Sequence, residues 1–493
     1  MEQMTSKSGI FESATQVGVA RACPGLSCQV SAIRMLNRPT KTLNFVILAL
    51  LFSTGFAVAQ DVRPPLTQDI QVYRGPDPSP TPLVQKTGSS NPVPATSAIR
   101  TMFPALAEVS IPGYSGVLVE TLKGEVVMES NSGLLFNPAS NVKIATAYAV
   151  LKTFGPEFRF MTNVYTDGTF DRSTGVLNGN IYVSGKDPVF GYEHGVTIAN
   201  ELNRMGVRTV TGDLVVTDNF VMNYAGSPLV SAQTLLSTLD ASNRTPAATR
   251  IWLNFLTNSG RAGQVSGVPS VTFTGKAYSQ PIPSDLHLLF THESAPIKEI
   301  LKATLCYSNN FLAERLGDLV GGAYAVARIV QLNANVPANE FSIATSSGLG
   351  YNRVTPNAMM SLLRSLRDDL ARYKMTYADI MPVAGIDKGT LEGRFDEDFS
   401  RGSLVGKTGT MGNTDGGVSA LAGEVNTKNG RLLFVIFNQH GGVAKFRSFQ
   451  NNLMTLVQNQ FGGPMPLGYS VESLDARLAR SRVSYPSTAL GNE

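Results

Sequence analysis

Ser140 and Lys143 are the first residues of this chain whose types and spacing could do chemistry. They stand in Pro138-Ala139-Ser140-Asn141-Val142-Lys143, ahead of the apolar run from Ile144 to Leu151. On a helix, residues three apart share a face, so this spacing sets a hydroxyl beside an amine. The pair reads as a nucleophile with its base. A helix start also favours the negative charge that attack on a carbonyl creates, through its free N–H groups and its dipole. A Ser-x-x-Lys tetrad is nevertheless expected by chance in 493 residues, and most serines at a helix start are plain caps. The weight comes from two later segments, Ser308-Asn309-Asn310 and Lys407-Thr408-Gly409-Thr410.

Those residues need elements to hold them. Ser115–Glu120 and Glu125–Glu129 flank a Leu-Lys-Gly turn and read as a hairpin that begins the sheet behind the Ser140 helix. From Phe160 to Phe273 short β-rich stretches predominate, at Met161–Tyr165, Gly175–Val183, Val207–Val216 and Val268–Phe273, so an inserted β-rich domain is expected over 161–282. From Pro283 helical spacing returns: Leu286, Leu289 and Phe290, then Ile297, Ile300, Leu301 and Leu305, and a further helix from Phe311. Ser308 to Asn310 would lie where two helices meet, a position that also suits an ordinary helix cap. Lys407 to Thr410 reads as a strand ahead of the hairpin Val418–Val425 and Leu432–Phe437, turned at Asn426–Gly430. A last helix carries Phe446, Phe449, Leu453, Leu456 and Val457 on one face, and the polar residues beyond Gly462 read as a loosely held tail.

Composition bounds the function. The hydrophobic share of 43% with 16% charged residues is an ordinary globular balance. Of the net charge of +4, residues 1–59 supply +3, from five basic residues (Lys7, Arg21, Arg34, Arg38, Lys41) against Glu2 and Glu12. The remainder is near neutral and offers no basic face for nucleic acid. Arg38 and Lys41 precede the apolar run Phe45–Phe52, and Ala57-Val58-Ala59 completes a signal-peptide pattern with cleavage expected after Ala59. The run is short of the roughly 20 apolar residues of a spanning helix, so no stable membrane anchor is expected. The leader has normal length if translation starts at Met35 rather than Met1. Residues 60–97, rich in proline, read as a disordered linker. Cleavage leaves Cys306 as the single cysteine, and His194, His287, His292 and His440 lack metal-ligand spacing, so neither a disulfide framework nor a metal site is expected.

Ser-x-x-Lys, Ser-x-Asn and Lys-Thr-Gly in this order form the signature of penicillin-binding proteins and class A β-lactamases. The 168 residues from Ser140 to Ser308 exceed what a compact β-lactamase uses. With Gly185-Lys-Asp-Pro188, Val210-Thr-Gly-Asp-Leu214, Ser346-Ser-Gly-Leu349, Arg353-Val-Thr-Pro356, Pro382-Val-Ala-Gly385 and Gly389-Thr-Leu391, the chain from about 105 to 460 resembles the D-alanyl-D-alanine carboxypeptidase/endopeptidase family, the class C low-molecular-mass penicillin-binding proteins of the penicillin-binding protein 4 type. Two features depart from that pattern: Asn309 stands where Asp is more usual, and the insertion is shorter than the family's two nested subdomains.

The resemblance implies an α/β, β-lactamase/transpeptidase-like serine hydrolase domain, an antiparallel sheet between helix layers, built from residues 98–160 and 283–465 and followed by the tail 466–493. It implies a serine D-Ala-D-Ala carboxypeptidase without a cofactor, acting on peptidoglycan peptides and acylated by β-lactams, and leaves endopeptidase action on cross-links open. Ser140 would attack, Lys143 act as base, Ser308 relay a proton through Lys407, and Asn310 hold the substrate amide and Lys143. Backbone N–H groups of Ser140 and Thr410 would bind the oxyanion, while Lys407, Thr408, Gly409 and Thr410 would line the substrate, the two threonines meeting its terminal carboxylate. The family and the leader together imply a periplasmic enzyme. A β-lactamase or esterase on the same scaffold, and a non-catalytic wall-binding protein, are the competing readings.

Overall fold

The computed structural model describes residues 98–486 apart from 218, 265 and 266. The leader, the start at Met35, the cleavage after Ala59 and the linker lie outside the described residues.

A six-stranded antiparallel sheet forms the frame of the site. Its strands run in the order Arg100–Thr101, Val126–Ser130, Tyr114–Thr121, Gly430–Gln439, Val418–Thr427 and Leu404–Met411. Both hairpins read from the sequence are present, with Val117 opposite Ser130 and Thr427 opposite Gly430. Successive residues of a strand face opposite ways, and here both faces are apolar. Val119, Leu421, Phe434 and Ile436 pack with Leu453, Met454 and Val457 of the helix Val443–Gln460. Leu118, Ala420, Val435 and Phe437 pack on the other side with the helices Val142–Phe154 and Pro356–Arg372. The sheet therefore lies between helix layers. Every residue from Val142 to Leu151 is buried, so the helix behind Ser140 is a central one, enclosed on all sides.

A second core gathers Val164, Leu177, Ile181, Val183, Ile198, Leu214, Leu235 and Phe290. Its strands form a four-stranded and a six-stranded sheet, joined by three successive bends at Gly179-Asn180, Gly212-Asp213 and Gly275-Lys276. The segment expected to be β-rich also carries three α-helices, Tyr192–Arg204, Pro228–Leu239 and Pro246–Asn258. The helix expected around Leu286, Leu289 and Phe290 is instead the strand His287–Glu293. It pairs with Met161–Thr166, and a register shift between Leu288 and Phe290 buries two adjacent apolar residues, which copies helical spacing in the sequence.

The tail is not loose over its described part. The strand Arg482–Ser484 pairs with Thr291–Glu293, and the short helix Leu474–Leu478 rests on the helix Ile297–Tyr307 through Arg477, which reaches Glu299 at 2.8 Å. Charge pairing and the burial of Leu474 and Ala479 hold a segment whose composition is polar.

Candidate active site

Ser140 sits in the single 3-10 turn Ala139–Asn141 that feeds the helix Val142–Phe154. Ala139 holds φ +46°, a left-handed conformation that is costly for a residue with a side chain. The surroundings enforce it. The Asn137 side chain accepts from Ala139 N–H at 2.9 Å and donates to Asp415 at 2.8 Å, and Arg353 pairs with the same carboxylate at 2.8 Å. The edge strand Leu404–Met411 presses on the turn at Gly409, where a Cβ would come within 2.6 Å of the Pro138 carbonyl. Gly348 presses from another side, with φ +89° and room for no Cβ, which would stand 2.0 Å from the Ala139 carbonyl.

Lys143, one turn into the helix, is buried, and its Nζ donates to Ser140 Oγ at 3.1 Å, to Asn310 Oδ1 at 2.7 Å and to the Ser347 carbonyl at 2.6 Å. Burial pushes its pKa down to about 8, against the opposing pull of the Glu314 carboxylate. A neutral amine beside the hydroxyl is the state that can take its proton.

Ser308 ends the helix Ile297–Tyr307 with φ +54°, and Asn310 opens the helix Asn310–Leu319. Asn309 between them caps the second helix by accepting from Leu312 N–H at 3.0 Å. Ser308 Oγ accepts from Lys407 Nζ at 2.8 Å, and the same nitrogen donates to the Thr408 carbonyl at 2.7 Å. Lys407 is enclosed, and burial first, then the charge of Lys143, holds its pKa well below the ordinary amine range. Thr408 is buried, while Thr410 is exposed and accepts from Arg447 at 3.1 Å. The structure thus joins Ser140, Lys143 and Asn310 by hydrogen bonds, and Ser308 with Lys407. Gly409 packs on the nucleophile turn.

Other residues of the site carry no signal in the three motifs. Glu314 accepts from the N–H groups of Ser346 and Ser347, each at 3.0 Å, and so aims the Ser347 carbonyl at Lys143. Asp415 and Arg447 act from a loop and a distant helix. Tyr224 reaches Asn309 from the segment expected as an insertion, with its ring 4.9 Å from that of Phe311. Only Ser346-Ser-Gly-Leu349 and Arg353 could have been found, as stretches the resemblance already singled out.

The outer edge of the strand Leu404–Met411 is covered at Val405 and Gly406 by residues 382–383, and from Lys407 onward no strand among the described residues pairs with it. A serine in a strained turn, a desolvated lysine beside it and an open strand edge together suit acyl transfer to serine from an extended peptide.

A D-alanyl-D-alanine carboxypeptidase from Actinomadura sp. strain R39 is 26% identical over 427 residues, 66% of this chain and 78% of the relative. Among solved structures, a penicillin G-acylated predatory endopeptidase of Bdellovibrio bacteriovorus superposes with a TM-score of 0.63 at 24% identity, over 72% of this chain and 95% of the other. Penicillin binding protein 4 of Haemophilus influenzae does so with a TM-score of 0.53 at 20% identity, over 72% and 98%. These two likenesses carry the fold, mixed α/β. The family model for D-Ala-D-Ala carboxypeptidase 3 (S13) matches residues 105–228 and 268–460, which include all three motifs, so the chain is a serine peptidase belonging to the D-Ala-D-Ala carboxypeptidase 3 (S13) family.

Proposed function

We propose that this chain removes the terminal D-alanine from peptidoglycan stem peptides through an ester on Ser140. The observation that carries the proposal is Lys143 Nζ, buried to a pKa of about 8 and 3.1 Å from Ser140 Oγ. As Oγ bonds to the carbonyl carbon between the two D-alanines, its proton passes to Lys143. The carbon–nitrogen bond then breaks, and the leaving amine takes a proton through Ser308 and Lys407. Water adds to the ester, releases the shortened peptide as a carboxylate and restores Ser140. The substrate lies as an added strand along Lys407–Thr410, where Thr408 and Thr410 meet its terminal carboxylate and Asn310 holds its amide. Backbone N–H groups of Ser140 and Thr410 bind the oxyanion, each donor contributing about 3 kcal/mol to lowering the barrier.

The same geometry accepts a cross-linked peptide, so endopeptidase action belongs to this reading, as does acylation by penicillins. The leader, with its cleavage site after Ala59, supports a periplasmic location, and no helix among the described residues is long and apolar enough to cross a membrane. Residues 161–282, built around the second core, support reading that segment as an inserted domain.

The test is the intact mass after incubation with penicillin, with the adduct mapped to a peptide. A persistent adduct on Ser140, absent in Ser140→Ala, is expected, together with release of D-alanine from a pentapeptide. Lys143→Ala should acylate slower by at least about two orders of magnitude. An adduct that turns over as fast as penicillin is consumed would identify a β-lactamase instead.

A further inference from the structure

A cavity of about 470 Å³ lies outside the catalytic cluster, between the helices Tyr192–Arg204 and Pro246–Asn258 and the C-terminal strand Arg482–Ser484. That volume suits a small ligand. Its charges are unevenly matched. Glu201, nearly buried, already accepts from Arg204 at 3.0 Å and from the Tyr485 hydroxyl, and Arg482 is paired with Glu293 at 2.8 Å. Arg261 has no carboxylate within ion-pair distance among the described residues. Its guanidinium is held in place by Ser259 Oγ at 2.9 Å, the Ala479 carbonyl at 3.3 Å and the Phe255 ring at 4.8 Å. Trp252 also lines the cavity, with its indole nearly buried. Arg261 is partly desolvated, and Glu201 acts on it only from beyond ion-pair distance. Such a guanidinium suits an anion with a flat, multiply accepting end, which is what a carboxylate offers.

We infer that this cavity is a second binding site, for a carboxylate-ended peptide. Its identification as a neighbouring stem peptide of the wall rests on the function proposed above. Arg261 receives the carboxylate, while Trp252, Thr197 and Asn200, whose amide already donates to Glu201 at 3.2 Å, form the wall against the peptide behind it. A second grip would keep the enzyme on the polymer between cleavage events.

Trp252 is the chain's one tryptophan, so its fluorescence reports on this cavity and not on Ser140. The experiment titrates protein whose active serine has been blocked by penicillin with the tetrapeptide L-Ala-γ-D-Glu-diaminopimelate-D-Ala, with acetate and inorganic phosphate as comparators. A saturable change with the tetrapeptide is expected at concentrations where the small anions give none. Arg261→Gln should weaken it roughly tenfold, the cost of losing a charge-assisted contact, with the penicillin acylation rate unchanged. Arg204→Gln, at the exposed rim, should also weaken it by leaving Glu201 to repel the ligand. No saturable change, equal response to acetate or phosphate, or full binding by both variants would overturn the inference. Protein that titrates through Trp252 yet takes no penicillin would refute the proposed catalysis and leave this site standing.

Discussion

Lys143 is tuned by two opposed influences, and their balance is measurable. Burial favours the neutral amine, while Glu314 favours the ammonium. The base form gains population as pH rises through about 8, so the second-order rate of penicillin acylation should climb with pH and level off above that value. Glu314→Gln removes the carboxylate that raises the pKa, so the rising limb should move to lower pH. A midpoint that stays put or moves up would exclude Glu314 as a tuning residue. Lys407 lies in the same dry pocket and is depressed partly by Lys143, so the pair resists carrying two positive charges together. A single charge shared by the two amines is what the proposed relay from Ser140 to the leaving group needs.

Among the elements, the bends of the second core show how a local rule builds a scaffold. Gly212 N–H donates to the Gly179 carbonyl at 3.0 Å and Gly275 N–H to that of Gly212 at 3.1 Å. The residues after them repeat the pattern through side chains: Asn180 N–H meets Asp167, Asp213 N–H meets Asn180 and Lys276 N–H meets Asp213, each at 2.7 Å. A Cβ on Gly212 would stand 2.4 Å from the Gly179 carbonyl oxygen, which is backbone and cannot swing away. Gly212→Ala should therefore destabilise by about 1–3 kcal/mol, read as a lower Tm with penicillin acylation retained at low temperature. Unchanged stability would mean that the stacked bends can spread. This repeat stands in the sequence as Asn178-Gly-Asn180, Thr211-Gly-Asp213 and Thr274-Gly-Lys276, yet at this level it reads only as turns, because what stacks them is hydrogen bonding between distant segments. The main sheet and the three motifs were legible because alternation and short spacings are local. Two of the unexpected helices also carried readable starts, Ser227-Pro228 and Thr245-Pro246, whose hydroxyls accept from Val230 and Ala248 N–H. The third, Tyr192–Arg204, keeps a helical apolar period through Ile198, Ala199 and Leu202 beside the buried polar His194, Thr197 and Glu201, but its start at Gly191 carries no side-chain cap.

Across the whole molecule, the C-terminal segment joins the two cores. Its strand extends the sheet of the second core at Thr291–Glu293, and only a few residues on, the helix Ile297–Tyr307 carries Glu299 toward Arg477 and ends at Ser308. The same helix is held by Lys302, fully enclosed, which donates to Asp387 at 2.6 Å and lies 4.7 Å from the Tyr469 ring, while the Tyr469 hydroxyl bonds Asp387 at 3.0 Å. Residues from 469 to 484 thus fix the element that presents Ser308. The two arginines on Glu299 should not weigh equally. Arg477 is 9% exposed and Glu299 1%, so Glu299→Gln leaves that buried guanidinium only the more distant carboxylate of Glu472, at 3.8 Å, and should cost about 3 kcal/mol or more. Arg480 is 44% exposed, and its replacement by Gln should cost less than about 1 kcal/mol, since water screens the pair and takes over its hydrogen bonds. Thermal unfolding of the two variants reads the difference directly. A large drop for Glu299→Gln beside a small one for Arg480→Gln is expected. Equal and small drops would mean that apolar contact at Leu474 and Ala479, and not charge, holds the segment against the helix of Ser308.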